Sequence, residues 1–151
     1  MAARHRSRER ALQMLYQWDL TKAQPEQVMQ AYWGSVSRGE DQKEASEDPF
    51  ANRLLEGVAG RIQQIDELIQ KHAANWRLER MSTVDRSILR MAVFEMLEDA
   101  SLAPVVINEA VEIGRRFSAQ ESAGFLNGVL DAIRKSLDET GSAHVLSPPL
   151  A

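Results

Sequence analysis

In the stretch RERALQMLYQWDL, Ala11, Met14, Leu15 and Trp18 recur at helical spacing, with Leu12 and Tyr16 beside them. The pattern predicts a helix with one buried face from about Ser7 to Thr21. Pro25 sits where a first helical residue often sits, and Val28, Met29, Tyr32, Trp33 and Val36 carry a second helix. Residues 39–48, GEDQKEASED, are polar and without period, which reads as a loop. Asp48 followed by Pro49 is a helix cap before a proline. The period then runs through Phe50, Leu54, Leu55, Val58, Ile62, Ile65, Leu68 and Ile69 to about Ala74. Gly57 and Gly60 either split this segment or permit close packing.

Ser82 with Asp85 three residues later makes a capping-box-like start for a helix burying Ile88, Leu89, Ala92, Val93, Met96 and Leu97. Pro104 opens the next, carrying Val106, Ile107, Ala110, Val111 and Ile113 to about Phe117. The last begins between Ser118 and Ser122 and buries Phe125, Leu126, Val129, Leu130 and Ile133. Residues 138–151 read as a disordered tail, leaving 1–137 as the folded domain. Short β-branched runs such as Val105–Ile107 fall inside helical periods, so the expectation is an all-α domain of six or seven helices.

At 151 residues the chain is long enough to bury a core without staples. The absence of cysteine excludes disulfides, thiolate metal sites and a cysteine nucleophile, and suits a reducing cytoplasm. Uncharged stretches are too short to cross a bilayer and no apolar run follows the first arginines, so a cytoplasmic protein with no membrane partner is expected.

Charge is distributed unevenly. Residues 1–10 hold Arg4, Arg6, Arg8 and Arg10 against one glutamate, while the rest of the chain holds 14 Lys/Arg against 21 Asp/Glu. The surface as a whole is therefore not built to coat nucleic acid, but the first ten residues form a local basic arm. Arg6 and Arg10 are four apart, with Gln13 and Tyr16 one or two turns on. Guanidinium groups fork onto phosphates, and an exposed ring gives an unpaired base a place to stack. This combination suits single-stranded RNA better than a duplex. The register of Tyr16, beside Leu12 and Leu15, is equally that of a core residue.

Catalytic signals are missing. His5, His72 and His144 lie far apart, without ligand spacing for a metal, and the phosphate, dinucleotide, hydrolase and zinc-protease motifs are absent. Neither a cofactor nor an enzymatic activity is expected. The acids and bases of the later helices read as structural: Arg86 or Arg90 pairing with Glu109 or Glu112, and Asp85 capping.

Four blocks carry a resemblance. RSRERALQMLYQWDL at 6–20, MSTVDRSILRMAVFEML at 81–97, VVINEAVEIGRRF at 105–117 and ESAGFLNGVLDAI at 121–133 resemble, in order and spacing, the bacterial NusB family of transcription antitermination factors. The blocks holding INEAVE and FLNGVLD are the most specific.

The resemblance implies two small helical subdomains and a non-enzymatic role. The family binds a single-stranded boxA element of nascent ribosomal RNA together with NusE, a small-subunit ribosomal protein. The complex joins elongating RNA polymerase and other Nus factors. Carried onto this chain, the resemblance implies phosphate contacts at Arg4, Arg6, Arg8 and Arg10, RNA-facing aromatics at Tyr16, Phe117 and Phe125, and a NusE contact at Asp85. Phe125 has an equal reading as core, and Asp85 as a cap. Four phosphate contacts correspond to a slope of log affinity on log salt of about −3 for single strands.

Two rivals differ in kind. One is a helical protein adaptor or homodimer whose arginines meet an acidic partner. The other is the amino-terminal part of a ribosomal RNA cytosine methyltransferase, for which this chain has no catalytic portion, cysteine or cofactor loop.

Overall fold

The structure, a computed structural model, describes residues 2–37 and 47–146. Most of the polar loop at 38–48 and the last five residues of the chain lie outside the described residues. Seven α-helices are present: α1 Ala2–Thr21, α2 Pro25–Ser37, α3 Pro49–Gly60, α4 Ile62–His72, α5 Thr83–Glu98, α6 Ala103–Phe117 and α7 Ser122–Leu146. Two single 3-10 turns, Leu78–Arg80 and Ala100–Leu102, lead into α5 and α6. Among the described residues there is no strand.

Helix α5 is the centre. Every residue from Ser87 to Met96 is buried, because α1 and α3 pack on one side of it and α4, α6 and α7 on the others. The helices thus fall into an amino-terminal group, α1–α3, and a carboxy-terminal group, α4–α7, joined along α5. The caps read from the sequence are in place. The Asp48 carboxylate accepts from the backbone N–H groups of Phe50 and Ala51, and Ser82 Oγ accepts from Asp85 N–H at 3.1 Å.

The long apolar period at 50–74 does split. Arg61 leaves helical geometry at φ −123°, ψ 24°, and its N–H closes onto Gly57 and Val58 carbonyls. Gly60 faces open space, whereas a Cβ at Gly57 would overlap the Phe94 ring. Each glycine therefore answers to one of the two readings: the chain turns beside Gly60, and α5 packs against α3 at Gly57.

Two expectations are corrected. The first ten residues are not an arm apart from the helix: α1 begins at Ala2, and its first half is held by partners on α3, α5 and α6. Helix α7 continues to Leu146, its Leu137 packed on the core and its Arg134 paired with Asp131 and Asp138. Finally, Arg86 and Arg90 do not pair with Glu109 or Glu112. Asp19 of α1, buried at 6% exposure, draws both: Arg86 at 2.7 Å and Arg90 at 3.3 Å, and Arg90 also forks onto Asp66 at 2.9 Å. Glu109 is taken by His5 and Glu112 by Arg115.

Candidate nucleic-acid interface

Four arginines along one helix cannot all face the same way, and α1 directs them to three different places. Arg8 points into the core. Its guanidinium, about as buried as Glu95, forks onto that carboxylate with two bonds of 2.8 Å. Burial works against the charge on Arg8, but the hydrogen bonds and charge of Glu95 outweigh it and hold the group above its ordinary value. Arg4 and Arg10 turn toward α3. Arg4 lies 3.9 Å from the centre of the half-buried Phe50 ring, and Arg10 bonds Asp48 at 2.8 Å. Arg6 lies on the remaining side, half-exposed, within 3.5 Å of Glu9.

From Arg6 that side continues along α1 through Gln13 to Tyr16, seven and then three residues on. Tyr16 is 38% exposed, which decides between its two readings: the ring is on the surface. It lines an open cleft of about 710 Å³ with Leu12 and Gln13 of α1, Val28 and Tyr32 of α2, Val84 of α5 and Phe117 at the end of α6. Phe117 is 42% exposed, so rings from two helices far apart in sequence open onto one cavity.

Arg116, which sequence reasoning passed over, completes this edge. Its guanidinium lies 5.1 Å from the Phe117 ring centre and donates to Glu9 Oε2 at 2.7 Å, while most of the side chain stays in solvent. The Arg-Arg-Phe run at 115–117 was the available signal. Glu9 is itself nearly buried and also faces His5 Nε2 at 3.3 Å; His5 Nδ1 meets Glu109 at 2.5 Å. These contacts fasten the basic half of α1 to α6 and fix the spacing between Arg6, Tyr16 and Phe117.

The other expected site residues lie beyond the cleft. Asp85 accepts from Ser118 Oγ at 2.5 Å and from Ser122 Oγ at 2.9 Å, tying the start of α5 to the α6–α7 turn. Each of its oxygens retains a lone pair for a further donor. Phe125, one turn into α7, is half-buried against the core and meets Trp76 edge to face at 5.8 Å. Among the described residues no cluster of three His, Asp or Glu has the arrangement of a metal site.

Fold and surface together define a small all-helical binding protein that presents cations and exposed rings along one edge. Comparison narrows the class. The NusB family profile matches residues 5–135, and the chain belongs to that family. A transcription antitermination protein NusB from Solibacter usitatus is 45% identical over 139 residues, covering 92% of this chain and 93% of its own. Of solved structures, NusB from T. maritima is 33% identical with a TM-score of 0.73, covering 87% of this chain and 90% of its own. A crystal structure of antitermination factors NusB and NusE in complex with double-stranded RNA contains a chain 27% identical, TM-score 0.75, covering 90% of this chain and 98% of its own.

Proposed function

We propose that this protein is a transcription antitermination factor, not an enzyme, that binds boxA-type single-stranded RNA along the α1–α6 edge, together with NusE. The observation that carries the reading is the pair of exposed rings, Tyr16 and Phe117, on one cleft beside Arg6 and Arg116. Two rings allow successive unpaired bases to stack, and the flanking guanidiniums meet the backbone between them. Arg4 supplies a further exposed cation on the adjoining side of α1. Arg8 is paired with Glu95 inside the fold and Arg10 is engaged by Asp48, so Arg4, Arg6 and Arg116 make three contacts in place of the four read from the sequence, and the salt slope becomes about −2.

Asp85 is the proposed point of contact with NusE, through the lone pairs its serines leave open. In the cell, the complex would act on elongating RNA polymerase with other Nus factors.

Fluorescence anisotropy of a labelled boxA-like single strand, with and without NusE over a salt series, tests the reading. The expected result is affinity that tightens with NusE and falls with salt at that slope, and a loss of about 1–3 kcal/mol for Tyr16→Ala and for Phe117→Ala. A protein that folds, binds NusE and ignores RNA in every condition would replace this reading with a protein-only adaptor.

A further inference from the structure

Trp76 is the most exposed large apolar side chain among the described residues, at 59%, yet the segment carrying it is firmly built. Its N–H donates to the Ala73 carbonyl at 2.9 Å, and its carbonyl accepts from Gln70 Nε2 at 2.9 Å. Gln70 Oε1 in turn accepts from Leu78 N–H at 2.9 Å, and Arg86 Nη1 donates to the Leu78 and Met81 carbonyls. The backbone between α4 and α5 is thus pinned from both sides while the indole is held out in water. Burying it would stabilise the fold; holding it out on a rigid turn gives up that stabilisation and leaves an aromatic face for something else.

The surroundings say what kind of ligand. Phe125 braces the indole edge to face, so the ring is preset without being covered. Arg77 and Arg80 are exposed on the same turn, and residues 71–80 hold three cations against one acid in a chain of net charge −4. Among the described residues the Arg77 guanidinium has a 4.0 Å, solvent-exposed approach to Glu79. An aromatic face flanked by guanidiniums matches an unpaired base and its phosphates better than an apolar protein surface. The place is also continuous with the cleft: from Phe117 the chain runs through Ser118 and Ser122, both held by Asp85, to Phe125 and so to Trp76.

We infer that Trp76, braced by Phe125 and flanked by Arg77 and Arg80, is a second stacking subsite for the same single-stranded RNA, taking a nucleotide beyond those held at Tyr16 and Phe117. The inference rests on the RNA-binding reading above. Bases stack on the indole, and the two arginines meet phosphates on either side of it, so a strand long enough to reach this subsite has a salt slope of about −3.5, against about −2 for one confined to the cleft.

The test is anisotropy with a boxA-like single strand at full length and shortened stepwise from each end, using wild type, Trp76→Ala, Trp76→Phe and Arg80→Gln. Circular dichroism and thermal melts confirm folding. Trp76→Ala should weaken the full-length strand about 5- to 150-fold, Trp76→Phe much less, and the effect should vanish once shortening from one end removes the stacked nucleotide. Arg80→Gln should flatten the salt slope by about 0.7, and it carries the test alone if Trp76→Ala does not fold. Equal affinities of wild type and Trp76→Ala at every length would overturn this inference and leave the cleft reading standing. Loss of NusE affinity alone, with RNA binding intact, would overturn it in favour of a protein contact. No RNA binding by wild type would overturn both readings.

Discussion

The buried pair of Arg8 and Glu95 separates two accounts of the basic start of this chain. If Arg8 were one of four phosphate contacts, replacing it would cost RNA affinity and flatten the salt slope while sparing the fold. The structure predicts the reverse. Both side chains are about 6% exposed and joined by two bonds of 2.8 Å. Removing one partner leaves the other charge in the core uncompensated, at a cost of about 3–5 kcal/mol. Arg8→Met and Glu95→Leu should each lower stability by that amount, a large share of the roughly 5–15 kcal/mol a domain of this kind possesses.

The double variant removes both charges and should recover most of the loss, since apolar replacement of a buried pair is often neutral or better. Urea denaturation of the four proteins gives the coupling energy directly. At a temperature where Arg8→Met remains folded, its salt slope for single-stranded RNA should equal that of wild type. An Arg8→Met protein of undiminished stability with a flattened slope would refute the reasoning.

Other predictions follow from single sites. Gly57→Ala should destabilise by about 1–3 kcal/mol, because its Cβ must displace the Phe94 ring, and a thermal melt reads the change; an unchanged melting temperature would mean that α3 and α5 can part there. Ser87 Oγ is buried without a hydrogen-bond partner among the described residues, so Ser87→Ala should raise stability by about 1 kcal/mol or more. A fall would show that the hydroxyl is satisfied. Asp19 and Asp48 are both held below the usual carboxylate value: burial opposes this, but Arg86 and Arg90 around Asp19, and Ser7, the Ala51 N–H and Arg10 around Asp48, outweigh it. Both groups therefore bind protons more weakly folded than unfolded. Their stabilisation is present above the ordinary value of about 3.9 and is lost as pH falls through the lower folded values. Melting temperatures from pH 7 downward should drop in that acid range, and less steeply in Asp19→Asn and Asp48→Asn than in wild type.

Much of this fold was legible because helices write their period locally. The caps at Asp48 and Ser82, the proline at the head of α6 and the apolar faces of α3 to α7 each depend on residues within a turn or two. The first turns of α1 were misread for the opposite reason. Four arginines at a helix start face the unfavourable end of the helix dipole and look like a solvated arm. What holds them is distant in sequence: Glu95 lies 87 residues from Arg8, and Asp48 lies 38 from Arg10.

The same distance hid the route by which Asp19 collects Arg86 and Arg90. At the candidate site, Tyr16 could be named but not placed, since its register fits core and surface alike; only packing of α2 and the end of α6 around it decides the matter. Arg116 and Trp76 went unremarked because a side chain's exposure and its neighbours across the fold leave no periodic mark.

The central claim is that RNA lies along the α1–α6 edge, and mapping amide shifts by NMR as a boxA-like single strand is titrated into the isotopically labelled protein tests it most directly. The account predicts shifts concentrated from Arg6 to Tyr16 and at Arg116 and Phe117, with the buried Ser87–Met96 run of α5 little changed. Shifts confined to another face, with Tyr16 and Phe117 unmoved at saturating RNA, would contradict it.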